Sequence, residues 1–211
     1  MQYEDANASS KKIIQRGAEA ILYMRDGELV KERVAKGYRI AQLDVKIRRQ
    51  RTRAEAKLME RARTSEVKVP HVRIEGDYSL VMDYINGRKL KDVLNAMDTE
   101  TRSKTCEEVG ALIAGLHIAG IIHGDLTTSN MILSGSDNRV YLIDFGLGKF
   151  SQSAEDRAVD LFLLYEALKS THFVILDECW ESVLAAYVDC FTASKDVLAR
   201  METIKKRRRY K

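Results

Sequence analysis

Two short polar strings, each set at the end of an apolar run, restrict this chain more than anything else in it. His123-Gly124-Asp125-Leu126-Thr127-Thr128-Ser129-Asn130 follows Ile121-Ile122, and Asp144-Phe145-Gly146 follows Val140 to Ile143. Short apolar strands are rigid supports, so the two acids and the amide they carry are expected to converge on one point. Each string has an ordinary reading when taken alone. Asp-Phe-Gly also fits a turn, and His123 also fits a hydrogen-bonded core histidine. The combination at this spacing is what points to chemistry.

That chemistry is phosphoryl transfer, which asks a protein for positioned reactants and neutralised phosphate charge. One carboxylate orients the attacking hydroxyl or water, and hard oxygen ligands hold magnesium against the phosphates. Asp125, Asn130 and Asp144 supply such a set.

The rest of the chain reads as a β-rich part followed by a helical part. Lys12 to Gln15, Ala20 to Met24 and Glu28 to Arg33 are strand candidates, and Asp26-Gly27 is a two-residue hairpin signal. Leu43 to Arg63 is helical in pattern, rich in Arg, Lys, Glu and Ala. Pro70 opens a second β region, His71 to Ile74 and Tyr78 to Ile85 around Gly76-Asp77, which Asn86-Gly87 closes. Leu90, Val93 and Leu94 share a helical face, as do Cys106, Val109, Leu112, Ile113 and Leu116 ahead of Gly120. From Ala158 the pattern is helical to the end. A β-rich lobe, a joint and a helical lobe invite a ligand into the cleft between them.

Composition narrows the class. With 45% hydrophobic and 31% charged residues in 211, the chain is expected to be globular, without disulfides or a structural metal. Three cysteines (Cys106, Cys179, Cys190) without a CxxC spacing argue against a disulfide framework and a zinc site, and for a cytoplasmic setting. No apolar run is long enough for a membrane span, and Glu4 and Asp5 in Met1 to Lys12 argue against a secretory signal. The net charge of +4 is modest, but Lys46, Arg48, Arg49, Arg51 and Arg53 form one cluster and Lys205 to Arg209 another. Such clusters either bind phosphate-rich partners or are solvated faces, and both readings stay open.

The two strings resemble the catalytic loop and the metal motif of protein kinases. The resemblance implies an α+β, two-lobed fold: residues 1–86 the small lobe, 87–204 the helical lobe and 205–211 a basic, flexible tail. It implies ATP and magnesium as cofactors, Asp125 as the base or orienting residue, and Asn130 and Asp144 as magnesium ligands. Lys31, after Leu29-Val30, stands where the kinase lysine reaches the α- and β-phosphates. Its expected partner is Glu55, although Thr52-Arg53-Ala54-Glu55 also reads as a capping box. Gly17-Ala18-Glu19-Ala20 occupies the phosphate-loop position with one glycine in place of three. Met82, Asp83 and Ile85 fall where kinases bind adenine through the hinge backbone.

Three departures bear on activity. Gly124 replaces the arginine that grips an activation-loop phosphate, Thr127 stands where a lysine is common, and only Leu147 to Arg157 separates Asp-Phe-Gly from the next helix, with no Ala-Pro-Glu. Phosphorylation of free peptides is therefore expected to be poor.

Lys31-Glu32-Arg33, Lys36-Gly37-Tyr38-Arg39, Arg51-Thr52-Arg53-Ala54-Glu55-Ala56, the Gly-Asp-Leu-Thr-Thr-Ser-Asn string, Asp160-Leu161 and Ser170-Thr171-His172 resemble the small kinase subunit of the KEOPS complex. The compact length matches an archaeal-type member. The resemblance implies an atypical serine/threonine kinase or ATPase in an assembly that installs threonylcarbamoyl on adenosine 37 of tRNA. It further implies an ASKHA-fold threonylcarbamoyltransferase partner on the helical lobe and basic tail, a small regulatory subunit on the β-rich lobe, and tRNA as a candidate contact. A RIO-like or small-molecule kinase, and a non-catalytic nucleotide- and tRNA-binding module, are the competing readings.

Overall fold

The computed structural model describes residues 11–209. Residues 1–10 and 210–211, which carry part of the expectations about a leader and a basic tail, lie outside them.

Five antiparallel strands form the first sheet in the order β1-β2-β3-β5-β4: β1 Lys12–Arg16, β2 Ala20–Arg25, β3 Glu28–Arg33, β4 Val72–Glu75 and β5 Ser79–Asp83. The β2–β3 turn has positive φ at both Asp26 (52°) and Gly27 (84°), which matches the right-handed strand twist. Across this sheet lies α1, Ala41–Thr64. Its buried residues Thr52, Glu55, Ala56, Met59 and Ala62 recur at three- and four-residue spacing, so one face packs on the sheet.

The chain then crosses to the helical half. A three-residue strand, β6 Gly87–Lys89, pairs not with the first sheet but with β8, Met131–Ser134, which in turn pairs with β9, Val140–Leu142. Gly87, expected only to close a turn, is thus the first strand residue of the second half. Helices α2 Leu90–Val93, α3 Thr99–Ile118, α4 Ala154–Thr171, α5 Leu176–Cys190 and α6 Ser194–Arg209 make up most of the remainder. Asp98 and Ser153 cap α3 and α4 by accepting from Thr101 N and Asp156 N. The basic segment from Lys205 to Arg209 forms the last turns of α6. Lys205 there pairs with Glu202 at 3.1 Å and lies over Tyr165.

One hydrophobic cluster runs through both halves, from Leu58, Met59, Leu80 and Met82 to Leu116, Ile121, Leu126, Met131 and Phe145. The interior is therefore continuous under the cleft, and residues from both lobes pack on one core. Among the described residues no helix is long and apolar enough to cross a membrane.

Candidate active site

The loop that carries Asp125 leaves β7, Ile121–Ile122, a strand buried at both positions. Its backbone is gripped by one buried carboxylate. His123 N donates to Asp160 Oδ2 at 2.7 Å and Gly124 N to Asp160 Oδ1 at 2.8 Å. The His123 ring joins the two polar strings: Nε2 lies 3.1 Å from the Ile143 carbonyl, and Nδ1 accepts from Asp125 N at 3.3 Å. An Nδ1 that accepts an N–H carries no proton, so the ring makes one acceptor and one donor contact, and burial depresses the His123 pKa below the ordinary imidazole value despite nearby Asp160. Gly124 has φ +79°, and a Cβ there would stand 2.3 Å from the Leu147 carbonyl oxygen. The backbone itself therefore refuses the arginine of regulated kinases.

Asn130 closes the short 3₁₀ turn Thr128–Asn130 and sends Nδ2 to Asp125 Oδ2 at 2.8 Å and to the Asp125 carbonyl at 3.0 Å. With its nitrogen committed, Oδ1 is the atom left for a cation. The turn is pinned from below, where Thr128 Oγ1 meets His172 Nε2 at 3.0 Å and His172 Nδ1 meets Asn95 Oδ1 at 2.7 Å.

Lys31 lies within β3, not at its end, and its Nζ bridges the two halves. It donates to Glu55 Oε1 at 2.7 Å and to Asp144 Oδ1 at 2.8 Å. The capping-box reading of Glu55 fails. Thr52 is in mid-helix and donates Oγ1 back to the Arg48 carbonyl at 2.9 Å, while α1 begins well before it at Ala41. Burial acts to lower the Lys31 pKa, but Glu55 and Asp144 outweigh it and hold it above the usual lysine value. Burial likewise acts to raise Asp144, and Lys31 and the Gly146 N–H overcome it, so the carboxyl sits below its usual range. Asp144 adopts φ +63°, in the left-handed region that Asp and Asn enter more readily than other side-chain-bearing residues, and its Oδ1 accepts from the Gly146 N–H at 3.3 Å.

Two adjoining cavities of about 290 Å³ each open on this group. The first is the more apolar and is lined by Leu22, Leu29, Met59, Met82, Asp83 and Ile85, with Lys31, Glu55, Asn130 and Asp144 at one end. The second is lined by Gly17, Ala18, Glu19 and Ala20 together with Lys31, Asp125 and Asp144. The structure thus gathers every residue expected at the site around one cleft.

Several residues that the sequence reading names only within the phosphate loop or the family strings, without a role of their own, shape the site. Glu19 is clamped by Arg51 at 2.9 Å and Arg39 at 3.3 Å, and Lys36 Nζ donates to the Ala18 carbonyl. Side chains from α1 and the preceding loop thereby hold a phosphate loop that has few glycines. Asp160 is an acid on the buried face of α4, beside Ala158, Leu161 and Leu164, and that pattern was the available signal. Arg33 follows Lys31 by two positions on the strand and binds the other Glu55 oxygen at 2.5 Å. The basic cluster on α1 is largely spent internally. Arg48 pairs with Asp44 at 2.6 Å, Arg49 with Asp77 at 2.5 Å and Arg51 with Glu19.

The segment after Asp-Phe-Gly turns straight back. Strand β10, Lys149–Phe150, pairs with β7, and Ser151 N reaches the Gly120 carbonyl at 2.9 Å. That leaves no room for a peptide platform before α4.

A β-sheet lobe whose lysine pairs with a helix glutamate, facing an Asp–Asn loop and an Asp-Phe-Gly turn, defines a protein kinase domain. The protein kinase domain model matches residues 16–174. KEOPS complex subunit Bud32 of Pyrococcus abyssi is 41% identical over 215 residues, covering 95% of this chain and 96% of that protein. Probable bifunctional tRNA threonylcarbamoyladenosine biosynthesis proteins of Methanosarcina mazei and Methanothermobacter thermautotrophicus are each 42% identical over 94% of the chain. Of those longer proteins the chain spans 36%. The chain belongs to the protein kinase family and, within it, to the Bud32 group of KEOPS kinase subunits. It is accordingly an ATP-dependent phosphotransferase by class.

Proposed function

We propose that this chain is a magnesium-dependent atypical serine/threonine kinase and ATPase, acting as a regulatory subunit of a KEOPS-type assembly that makes threonylcarbamoyladenosine at tRNA position 37. The observation that carries the enzymatic part is the convergence of Lys31, Asp144, Asp125 and Asn130 beside an apolar cavity. The assembly is read from the likeness to the Pyrococcus Bud32 subunit over nearly the whole of both chains.

The residues fit the cofactors. An ionised carboxylate at Asp144 and the amide oxygen of Asn130 are hard ligands suited to magnesium. Met82, Asp83 and Ile85 with Leu22 and Leu29 offer an apolar slot with hinge backbone for an adenine. Magnesium, when bound, neutralises phosphate charge. Lys31 holds the α- and β-phosphates as a point charge, and the Gly17–Ala20 turn faces them with backbone N–H groups. Asp125, steadied by Asn130 Nδ2, orients the attacking hydroxyl or water and accepts its proton. The short segment from Leu147 leaves water, the chain itself or a docked partner as the acceptor in preference to a free peptide.

The division into lobes at residues 86/87 is supported by β6 pairing into the helical half. A transferase subunit on the helical lobe and the basic end of α6, and a small regulatory subunit on the β-rich lobe, follow from the family reading. Phosphate contacts to tRNA would fall mainly to α6, since most of the α1 cluster is already paired. The odd, unspaced cysteine count supports a cytoplasmic setting.

The test is magnesium-dependent phosphate release from ATP, measured alone and with the partner subunits and tRNA. Asp125→Ala and Asp144→Ala are each expected to lose about 100-fold or more in turnover. Wild-type turnover in both would overturn the assignment.

A further inference from the structure

Glu55 is wholly enclosed, with 1% of its side chain exposed, and both of its oxygens are used. Lys31 takes one at 2.7 Å and Arg33 Nη2 takes the other at 2.5 Å. The two cations belong to one strand and lie two residues apart, so both point to the same face of β3. The Arg33 backbone is fixed as well. Its N–H donates to the Tyr78 carbonyl at 2.9 Å, and its carbonyl accepts from Arg48 at 3.4 Å. Its side chain is only 4% exposed yet lines the cleft, and its Nε is buried without a hydrogen-bond partner. A Cβ on Gly146 would come within 3.7 Å of Arg33 Nη2 and 3.6 Å of Lys31 Nζ, so both cations border the Asp-Phe-Gly turn.

Formal charge explains why the pair matters. Lys31 and Arg33 bring +2, and Glu55 and Asp144 bring −2, so the four side chains are together neutral. On the reading above, Asp144 is a magnesium ligand, and its charge is then spent on the ion. Lys31 and Arg33 against Glu55 alone leave +1 facing the phosphates. Were Arg33 absent, Glu55 would cancel Lys31 and leave nothing. The demand for that charge is high here, because the phosphate loop has one glycine and Thr127 stands where a lysine is common.

We propose that Arg33 is a positioning residue that neutralises Glu55 and so releases the charge of Lys31 for the nucleotide's β-phosphate. It acts through Glu55 and Lys31 and sets the preference for di- and triphosphates over the bare nucleoside. The inference rests on the assignment of the cleft as a nucleotide site.

The experiment compares binding of adenosine and of ADP with magnesium to the full chain by calorimetry, for the wild type, Arg33→Gln and Arg33→Lys. Arg33→Gln is expected to weaken ADP by about 10-fold or more while adenosine stays within about twofold, because only ADP reads the charge. Arg33→Lys keeps the charge and should hold ADP within about threefold of wild type. Equal losses of ADP and adenosine in Arg33→Gln, or unchanged ADP binding, would overturn the proposal while leaving the nucleotide site standing. If Arg33→Gln does not fold, Arg33→Lys decides: retained ADP binding supports the charge role, and a 10-fold loss rejects it. A wild-type chain that binds neither adenosine nor ADP would reject the site assignment itself.

Discussion

Replacing Gly124 with alanine isolates what the loop geometry costs a side chain. Two penalties add. The residue has φ +79°, and an L-residue in that left-handed region loses about 1–2 kcal/mol. The added methyl also meets backbone, with the Leu147 oxygen at 2.3 Å and its carbonyl carbon at 2.9 Å, so a main-chain segment has to move. Overpacking of that sort costs about 1–3 kcal/mol more, for a total of about 2–5 kcal/mol. Gly76, in the β4–β5 turn, is the natural control. Its φ is +62° and nothing lies within 4 Å of an added Cβ, so Gly76→Ala should show the first penalty alone. Urea unfolding at fixed pH and salt reads both variants against the wild type. Gly124→Ala is expected to be the less stable of the two by about 1–3 kcal/mol, and to lose ATP turnover because Leu147 and Asp125 border one cavity. Equal destabilisation of the two variants would refute the close approach of Leu147.

Two further outcomes are expected. Asp160→Asn offers its backbone donors one acceptor in place of two, so stability should drop by about 2–3 kcal/mol and turnover by about 10-fold or more, read by urea unfolding and phosphate release. Unchanged values for both would mean that this carboxylate does not hold the loop. Burial lowers the pKa values of His117 and His123, so the unfolded chain binds protons below about pH 6.5 where the native chain does not. Stability is therefore full above that pH and falls as the pH drops through it toward 5.5. Urea midpoints that stay level over that interval would count against two neutral, buried rings.

What a stretch of sequence can settle is what its neighbours in the chain decide. The Asp26-Gly27 hairpin, β3, the helix-favouring composition of α1 and the periodic face of α3 answer to local torsions and repeats, and all are legible in the sequence. So are Asp125, Asn130 and Asp144 as a set, because the short strands β7, β8 and β9 deliver them. Strands β6 and β10 are not, since two or three residues become a strand only when β8 or β7 arrives to pair with them. The Arg-rich run of α1 reads equally as a surface for phosphates or as a solvated face, and the opposed Glu19, Asp44 and Asp77 take most of it into ion pairs within the chain. Glu55 shows the division most plainly. Its local context fits a helix cap as well as a lysine partner, and only the packing of α1 against β3 brings Lys31 and Arg33 to its two oxygens, where no water competes for a buried carboxylate.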